Sequence, residues 1–491
     1  MKKHINKILS AALIVAALQS CEFKDEINKD PINPTDAPMS AILPVAQVGI
    51  GYTVGGNIAR YNGMFTQQIS GVDRQALSIG KGNIGQQDTD DPWDNMYKAM
   101  KNLQVIIGKA DAQKSPHYKG VAQIMMAYSL GICTDLWGDV PYSDAFKGAS
   151  DGSGLRPKYD KQQALYDTIQ YLLDRGIANC GAAESNFAPA SDDVIYSGNL
   201  EKWIGLANAL KARHYLHLTK KDPSNYDKVI EFADKAVSAG FSDAFVPFSG
   251  ASVASQNPMS QFNDQRGDIG MASRMMDYFQ STADTLDQSL VDPRLFAYSD
   301  FSSDDAIFTN DTVSTDPLKI NYIFNPAGSF PGDGNFGINF VGAFTAAANA
   351  PVYLMTLGEL RFMLAEAKLK KGGQYNESVD DYKAGISLSL IQTTGTSNAF
   401  VVDRLAKVSA TDSLNLEKLI TQKWAALFMQ SEPWNDWRRT GFPQLQSPLG
   451  NPLGTEIPRR YPYTQKERTL NSANVPDEGA QPALKRVWWD Q

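Results

Sequence analysis

Few side chains in this sequence are placed for chemistry. The chain carries four histidines. His214 and His217 stand three apart in Arg213-His214-Tyr215-Leu216-His217. That spacing puts both rings near one face of a helix, where a metal is conceivable. No cysteine or carboxylate lies one turn away as a third ligand, so the pair reads as packing or surface histidines. His117 follows Pro116 at a helix start and reads as exposed. There is no Gly-x-Ser-x-Gly elbow, phosphate loop, dinucleotide fingerprint or zinc-protease helix. Gly328-Ser329-Phe330-Pro331-Gly332-Asp333-Gly334-Asn335 is glycine-rich but lacks the following Lys-Ser/Thr, and reads as a loop. Asp88 to Asp91 and Asp300 to Asp305 are acidic enough to hold calcium, yet neither has EF-hand ligand spacing. Both read as solvated loops, and no cofactor is expected. A glycosidase needs two carboxylates across a cleft. With 54 acidic residues such a pair can be imagined anywhere, so the sequence neither supports nor excludes it. The expectation is a protein that is not an enzyme.

The N-terminus offers a different chemistry. Lys2, Lys3 and Lys7 make a basic start, an apolar run extends from Ile8 to Leu18, and Leu18-Gln19-Ser20-Cys21 follows. These are the parts of a secretory leader over residues 1–20. The run is shorter than the roughly 20 apolar residues that span a bilayer. A cysteine after Leu-x-Ser resembles a bacterial lipobox, which makes Cys21 the expected lipidation site. Residues 21–40 read as an extended, acidic, proline-punctuated tether. Its acids resemble a surface-export signal, and a plain solvated linker is the competing reading. Formal charge is −8, and losing the three leader lysines takes it to −11. That balance argues against a nucleic-acid partner. Cys133 and Cys180 make no disulfide framework; one bridge between them stays open.

The elements that would carry any site are mostly helices. Asp91-Pro92-Trp93-Asp94 is a helix start, and Trp93, Met96, Tyr97, Met100, Leu103 and Ile107 repeat at helical spacing. Val121, Ile124, Met125, Tyr128 and Ile132 form a second stripe beyond Ser115-Pro116. Further helices are expected at about 160–176, 199–220, 225–239, 270–282, 352–371, 375–391 and 413–430. Two pairs turn tightly, at Asp222-Pro223-Ser224 and at Gly372-Gly373, and resemble degenerate tetratricopeptide hairpins. The fold class expected is mainly α, with tetratricopeptide-like hairpins bracing a loop-rich half in one domain over 41–491. The loop-rich segments are about 50–90 and 240–350. Loops this long are usually functional or disordered, and their many rings argue for ordered packing.

Several motifs together resemble a known family. They are Asn33-Pro34-Thr35, Trp93-Asp94-Asn95-Met96-Tyr97, Thr134-Asp135-Leu136-Trp137-Gly138-Asp139-Val140-Pro141-Tyr142, Leu364-Ala365-Glu366-Ala367, Gln422-Lys423-Trp424-Ala425-Ala426-Leu427, Trp437-Arg438-Arg439-Thr440-Gly441-Phe442-Pro443 and Arg459-Arg460-Tyr461-Pro462-Tyr463. Their order, behind a lipobox, resembles the SusD/RagB-type nutrient-binding outer-membrane lipoproteins, in their second SusD-like branch. The resemblance covers essentially the whole mature chain. It implies four tetratricopeptide-like pairs bracing a loop-rich half. It also implies a place on the outer face of the outer membrane, a SusC-like TonB-dependent β-barrel transporter as partner, and an oligosaccharide or peptide ligand held for import without chemistry. Read from the residues alone, the motifs are structural. Gly138 stops a helix. Leu416, Ile420, Trp424, Leu427 and Phe428 make an apolar helix face. Arg438 and Arg439 are expected to meet carboxylates or helix-end carbonyls.

Sugar rings stack their C–H faces on aromatics while amides, acids and arginines bond their hydroxyls. The candidate ligand residues are therefore Tyr322, Phe324, Phe330 and Phe336, with Asn325, Asp333 and Asn335. A second group is Tyr61, Phe65, Gln67, Gln68, Asp73 and Arg74. For each ring the competing reading is packing under a loop. All eight tryptophans fall outside the long loops, which argues against a flat starch-like platform. It leaves room for a peptide, a smaller oligosaccharide or a protein-linked glycan. A surface hydrolase and an adhesive or structural lipoprotein are the alternatives.

Overall fold

Ser115-Pro116 breaks the first long helical pattern as the sequence requires. Helix geometry ends at Ala112, Lys114 turns at φ +50°, and Pro116 opens the next helix at a position where its missing N–H is harmless. The structure, a computed structural model, describes residues 37–147, 155–282, 291–300 and 340–491. The leader, Cys21, most of the tether, the 328–335 loop and the candidates Tyr322, Phe324, Asn325, Phe330, Asp333, Asn335 and Phe336 lie outside the described residues.

In chain order the elements begin with α1 (Met39–Thr53), a π-turn (Val54–Ile58) and α2 (Ala59–Phe65), then β1 (Ile69–Gly71) and α3 (Arg74–Gly80). The long helices follow: α4 (Asp90–Ala112), α5 (Pro116–Trp137), α6 (Gln162–Cys180), α7 (Leu200–His217) and α8 (Asn225–Ser238). Next come β2 (Ala244–Val246), α9 (Pro258–Gln265), β3 (Ile269–Met271), α10 (Ser273–Ser281), α11 (Leu295–Tyr298) and β4 (Ser299–Asp300). Beyond the undescribed stretch are β5 (Phe340–Val341), α12 (Ala343–Ala346), β6 (Val352–Met355), α13 (Leu357–Lys371), α14 (Tyr375–Thr394), α15 (Ala399–Ala406), α16 (Leu416–Ala426), α17 (Glu432–Thr440) and α18 (Gln465–Leu470).

The long helices form the expected brace. Each of α4 to α8 packs on the next, α8 packs on α13, and α13 packs on α14 and α16. α5 and α6 touch closely because glycines face each other: a Cβ on Gly120 would lie 2.6 Å from Cys180 Sγ, and one on Gly176 would lie 2.6 Å from Ile124 Cγ1. Cys133 and Cys180 are both buried and free, so no bridge joins them. The strands are short antiparallel pairs, β1 with β3, β2 with β6 and β4 with β5. The β4–β5 pair brackets the undescribed stretch.

Three expectations are corrected. Residues 50–90 are largely helical: they contain the end of α1, then the π-turn, α2 and α3. Residues 352–355 form a strand, because β6 pairs with β2 before α13 starts at the cap Thr356. Leu427 and Phe428 are buried but lie beyond the end of α16.

The motif segments converge on the interior. Trp137, Trp203, Trp424, Trp434 and Trp489 are fully buried. α5 ends at Trp137, where Gly138 turns at φ +85°. Arg438 donates to the helix-end carbonyl of Asp135 at 2.7 Å, and Arg439 donates to Glu366 Oε2 at 2.7 Å and Asp436 Oδ1 at 2.9 Å. Lys423 pairs with Asp436 at 2.8 Å, and Arg213 with Glu359 at 2.7 Å. Buried charges persist only when paired in this way.

Candidate ligand-binding cleft

Asp73 caps α3, its carboxylate accepting from the Arg74 N–H at 2.8 Å, and two residues past the helix end Gly82, at φ +86°, lets the chain double back. The segment 82–88 then makes one wall of a cleft. Asp88 shapes it: Oδ1 accepts from Gln75 Nε2 at 2.5 Å and Oδ2 from the Gly85 N–H at 2.7 Å. The opposite wall is Leu453, Pro462, Gln465 and residues 480–483. Buried Glu478 fixes it by accepting from Arg460 at 3.0 Å and from the Tyr463 N–H at 2.9 Å. Thr89 ties the walls together through the Pro462 carbonyl at 3.1 Å.

The cleft holds about 520 Å³ and opens to solvent, within the size range of small-ligand sites. Its polar lining is mostly amide: Asn83, Gln86, Gln87, Gln465 and Gln481. Gln86, Gln87 and Gln481 make no side-chain hydrogen bond among the described residues, and Gln87 and Gln481 are exposed. Ile84, Leu453, Pro462, Pro482 and Ala483 supply apolar surface. A primary amide donates and accepts at once, which suits hydroxyl and acetamido groups. Asp88 is the single acid in the lining among the described residues. A second hollow of about 520 Å³ lies between the turns at Pro223 and Lys371, where the Lys371–Asp227 pair at 2.5 Å sits.

The second group of sequence candidates divides. Tyr61 and Phe65 are 4% and 3% exposed, and both pack on Tyr461. Gln67 bonds the backbone of Gln446, and Gln68 bonds the Trp424 carbonyl at 2.7 Å and the Met429 N–H at 2.9 Å. These four support the surface from beneath. Asp73 is partly buried and Arg74 exposed, at the start of α3 beside Gln75, whose Nε2 bonds the cleft's Asp88 at 2.5 Å. The cleft amides escaped the sequence reading because they are far apart in the chain. The available signal was amides beside glycine and proline in Gly85-Gln86-Gln87 and Gly479-Ala480-Gln481-Pro482.

The histidines are brought together with a carboxylate after all. Asp135, on α5, lies beside His214 and His217, with the potential ligand atoms within 4.8 Å of one another. The bonding favours an ion pair over a metal. His217 Nε2 is 2.8 Å from Glu432 and Nδ1 is 2.9 Å from the Tyr166 hydroxyl, which donates to Asp135 at 2.5 Å. Burial alone would push the His217 imidazolium down, but the Glu432 and Asp135 carboxylates outweigh it and hold the ring above its usual range. A ring protonated on both nitrogens has no lone pair for a metal. Burial drives His214 well below its usual range, so that ring is neutral.

Residues 31–464 match the model of the second SusD-like family, described as starch-binding and associating with the outer membrane. The chain belongs to the SusD-like family. No curated protein matched it in sequence. Among solved structures it is similar to a SusD/RagB family protein from Bacteroides thetaiotaomicron, with a TM-score of 0.73 and 22% identity over 93% of this chain and 99% of that one. It is similar to a chitin-binding protein, at TM-score 0.74 and 23% identity over 92% and 100% of the two chains. A chitin-binding SusD homolog from Flavobacterium johnsoniae matches at TM-score 0.70 and 22% identity, over 92% and 98%. In this SusD-like chain the resembling motifs build the scaffold. Of the cleft lining only Pro462 falls within them.

Proposed function

We propose that this protein is a cell-surface lipoprotein, anchored by Cys21 to the outer membrane and facing outward. It binds an oligosaccharide, or a peptide, as a nutrient and acts as the lid subunit of a SusC-like TonB-dependent importer. The observation that carries the reading is the cleft between 82–88 and 480–483, with Gln86, Gln87 and Gln481 free to bond a ligand. The starch-binding description of the family and the chitin-binding names of two similar structures favour a glycan. Ring stacking would come from Tyr322, Phe324, Phe330 and Phe336, with Asn325, Asp333 and Asn335 as polar partners and Asp73 and Arg74 at the margin.

Binding without cleavage is favoured by the lining. Glycoside hydrolysis needs two carboxylates, and Asp88, the single acid in the lining among the described residues, is held by Gln75 and Gly85. The test is a panel of starch, chitin and peptide fragments titrated into the protein with products assayed. Saturable binding without products is expected; product formation would refute it. Mild solubilisation of membranes should co-purify a large β-barrel with this protein, and recovery of it alone would remove the lid role.

A further inference from the structure

The amide-lined cleft presents accessible hydrogen-bonding groups and no free charge. Asn83, Gln87, Gln465 and Gln481 are exposed, and Gln86 is half-buried. Gln87 and Gln481 stand on opposite walls, and neither side chain is bonded among the described residues. Asp88 has both oxygens engaged, by Gln75 Nε2 at 2.5 Å and by the Gly85 N–H at 2.7 Å. No lysine, arginine or histidine lines the cleft among the described residues, so a neutral group suits it. The lining also holds no aromatic ring among the described residues. A pyranose is therefore held here by its substituents and not by its face. The apolar surface comes in small pieces set beside the amides. Ile84 lies between Asn83 and Gln86 on one wall, and Ala480 and Pro482 flank Gln481 on the other.

We propose that this cleft recognises the acetamido group of an N-acetylated sugar and prefers such a sugar to a plain glucan. An acetamido group carries an acceptor carbonyl, a donor N–H and an apolar methyl. A primary amide donates through its NH₂ and accepts through its carbonyl, so Gln87 and Gln481 supply the donor and the acceptor from the two walls. Ala480 and Pro482, beside Gln481, take the methyl out of water. A hydroxyl in the same place makes the hydrogen bonds but leaves that apolar surface uncovered. An ammonium, as on a deacetylated sugar, would lose water there without meeting a free carboxylate. The inference rests on the proposed glycan binding in the cleft and names the substituent that the cleft selects.

Calorimetry with chitohexaose, cellohexaose and maltohexaose tests it, using unmodified protein and the double variant Gln87→Ala with Gln481→Ala. Chitohexaose and cellohexaose share one backbone and linkage and differ in acetamido against hydroxyl. Unmodified protein should bind chitohexaose at least about tenfold tighter than cellohexaose, the combined gain of a covered methyl and a net hydrogen bond. In the double variant that preference should shrink to about twofold or less, with cellohexaose affinity changing little. Both glutamines are exposed and unbonded, so their replacement leaves the fold intact, as circular dichroism will verify; the comparison of sugars on unmodified protein does not depend on the variant. Equal affinity for chitohexaose and cellohexaose, tighter binding of either glucan, or a preference that the double variant keeps, overturns the acetamido reading and leaves glycan binding standing. No binding of any of the three sugars by unmodified protein overturns both.

Discussion

Glu432→Ala probes the buried charge system that holds the scaffold. Glu432 is 4% exposed; it takes hydrogen bonds from His217 at 2.8 Å and Asn435 at 2.9 Å, and lies 3.8 Å from Arg213. Removing one partner of a buried pair costs about 3–5 kcal/mol, because the other charge is left uncompensated. At about 2.1 cal/mol/K of unfolding entropy per residue over roughly 400 residues, that loss lowers Tm by about 4–6 °C. The pH dependence is specific. Burial would raise the Glu432 carboxyl, but His217 and Arg213 outweigh it and hold it well below the usual range. Its contribution is therefore present above the unfolded value near 4.3 and lost as pH falls toward the depressed folded value. His217 is raised, so its contribution is full below its unfolded value near 6.5 and fades as pH climbs through the folded one. The penalty of Glu432→Ala should be largest between about pH 5 and 6 and smaller near pH 9. Thermal unfolding of both proteins across that range measures it. A penalty that does not vary with pH, or one that grows toward pH 9, would refute the ion-pair reading of His217.

Gly120→Ala should destabilise by about 1–3 kcal/mol through overpacking, since the new Cβ would lie 2.7 Å from the Cys180 backbone nitrogen and 2.9 Å from the Gly176 carbonyl. Gly108→Ala on α4 meets nothing within 4 Å and should stabilise by up to about 1 kcal/mol; equal Tm shifts would contradict the close-packing account. Trp489→Ala should cost about 3–5 kcal/mol, because its ring stacks on His217 at 5.4 Å and its N–H bonds Asp135 at 2.9 Å; denaturant titration reads the loss. Burial pushes the Cys133 thiol up strongly and Cys180 to about 12, so neither should react with a thiol reagent in the native protein at pH 8. Unfolding mature protein should release two thiols, and a third would show that Cys21 is unmodified.

The long helices were legible because their apolar residues recur at one period and proline or glycine marks their ends, as at Pro116 and Gly138. Residues 50–90 were not, because their glycines mimic loop composition. Gly51 and Gly55 are there for close approach: a Cβ would lie 2.7 Å from Val246 Cβ and 2.4 Å from Val352 Cγ2. β6 was hidden for a related reason, since its partner β2 lies over 100 residues earlier and no local period announces such a pairing. Tyr61 and Phe65 illustrate the limit for sites. An aromatic beside polar neighbours reads the same whether it faces a ligand or Tyr461. The cleft amides needed the fold, because Gln87 and Gln481 approach only once Thr89 and Glu478 have set the two walls.

Hydrogen exchange in the presence and absence of a bound oligosaccharide tests the central claim most directly. Protection should appear at the backbone amides of 82–88 and 479–483, the two walls of the amide-lined cleft. Protection confined to the hollow at Thr219, Tyr226 and Lys371, with 82–88 unchanged, would contradict the account.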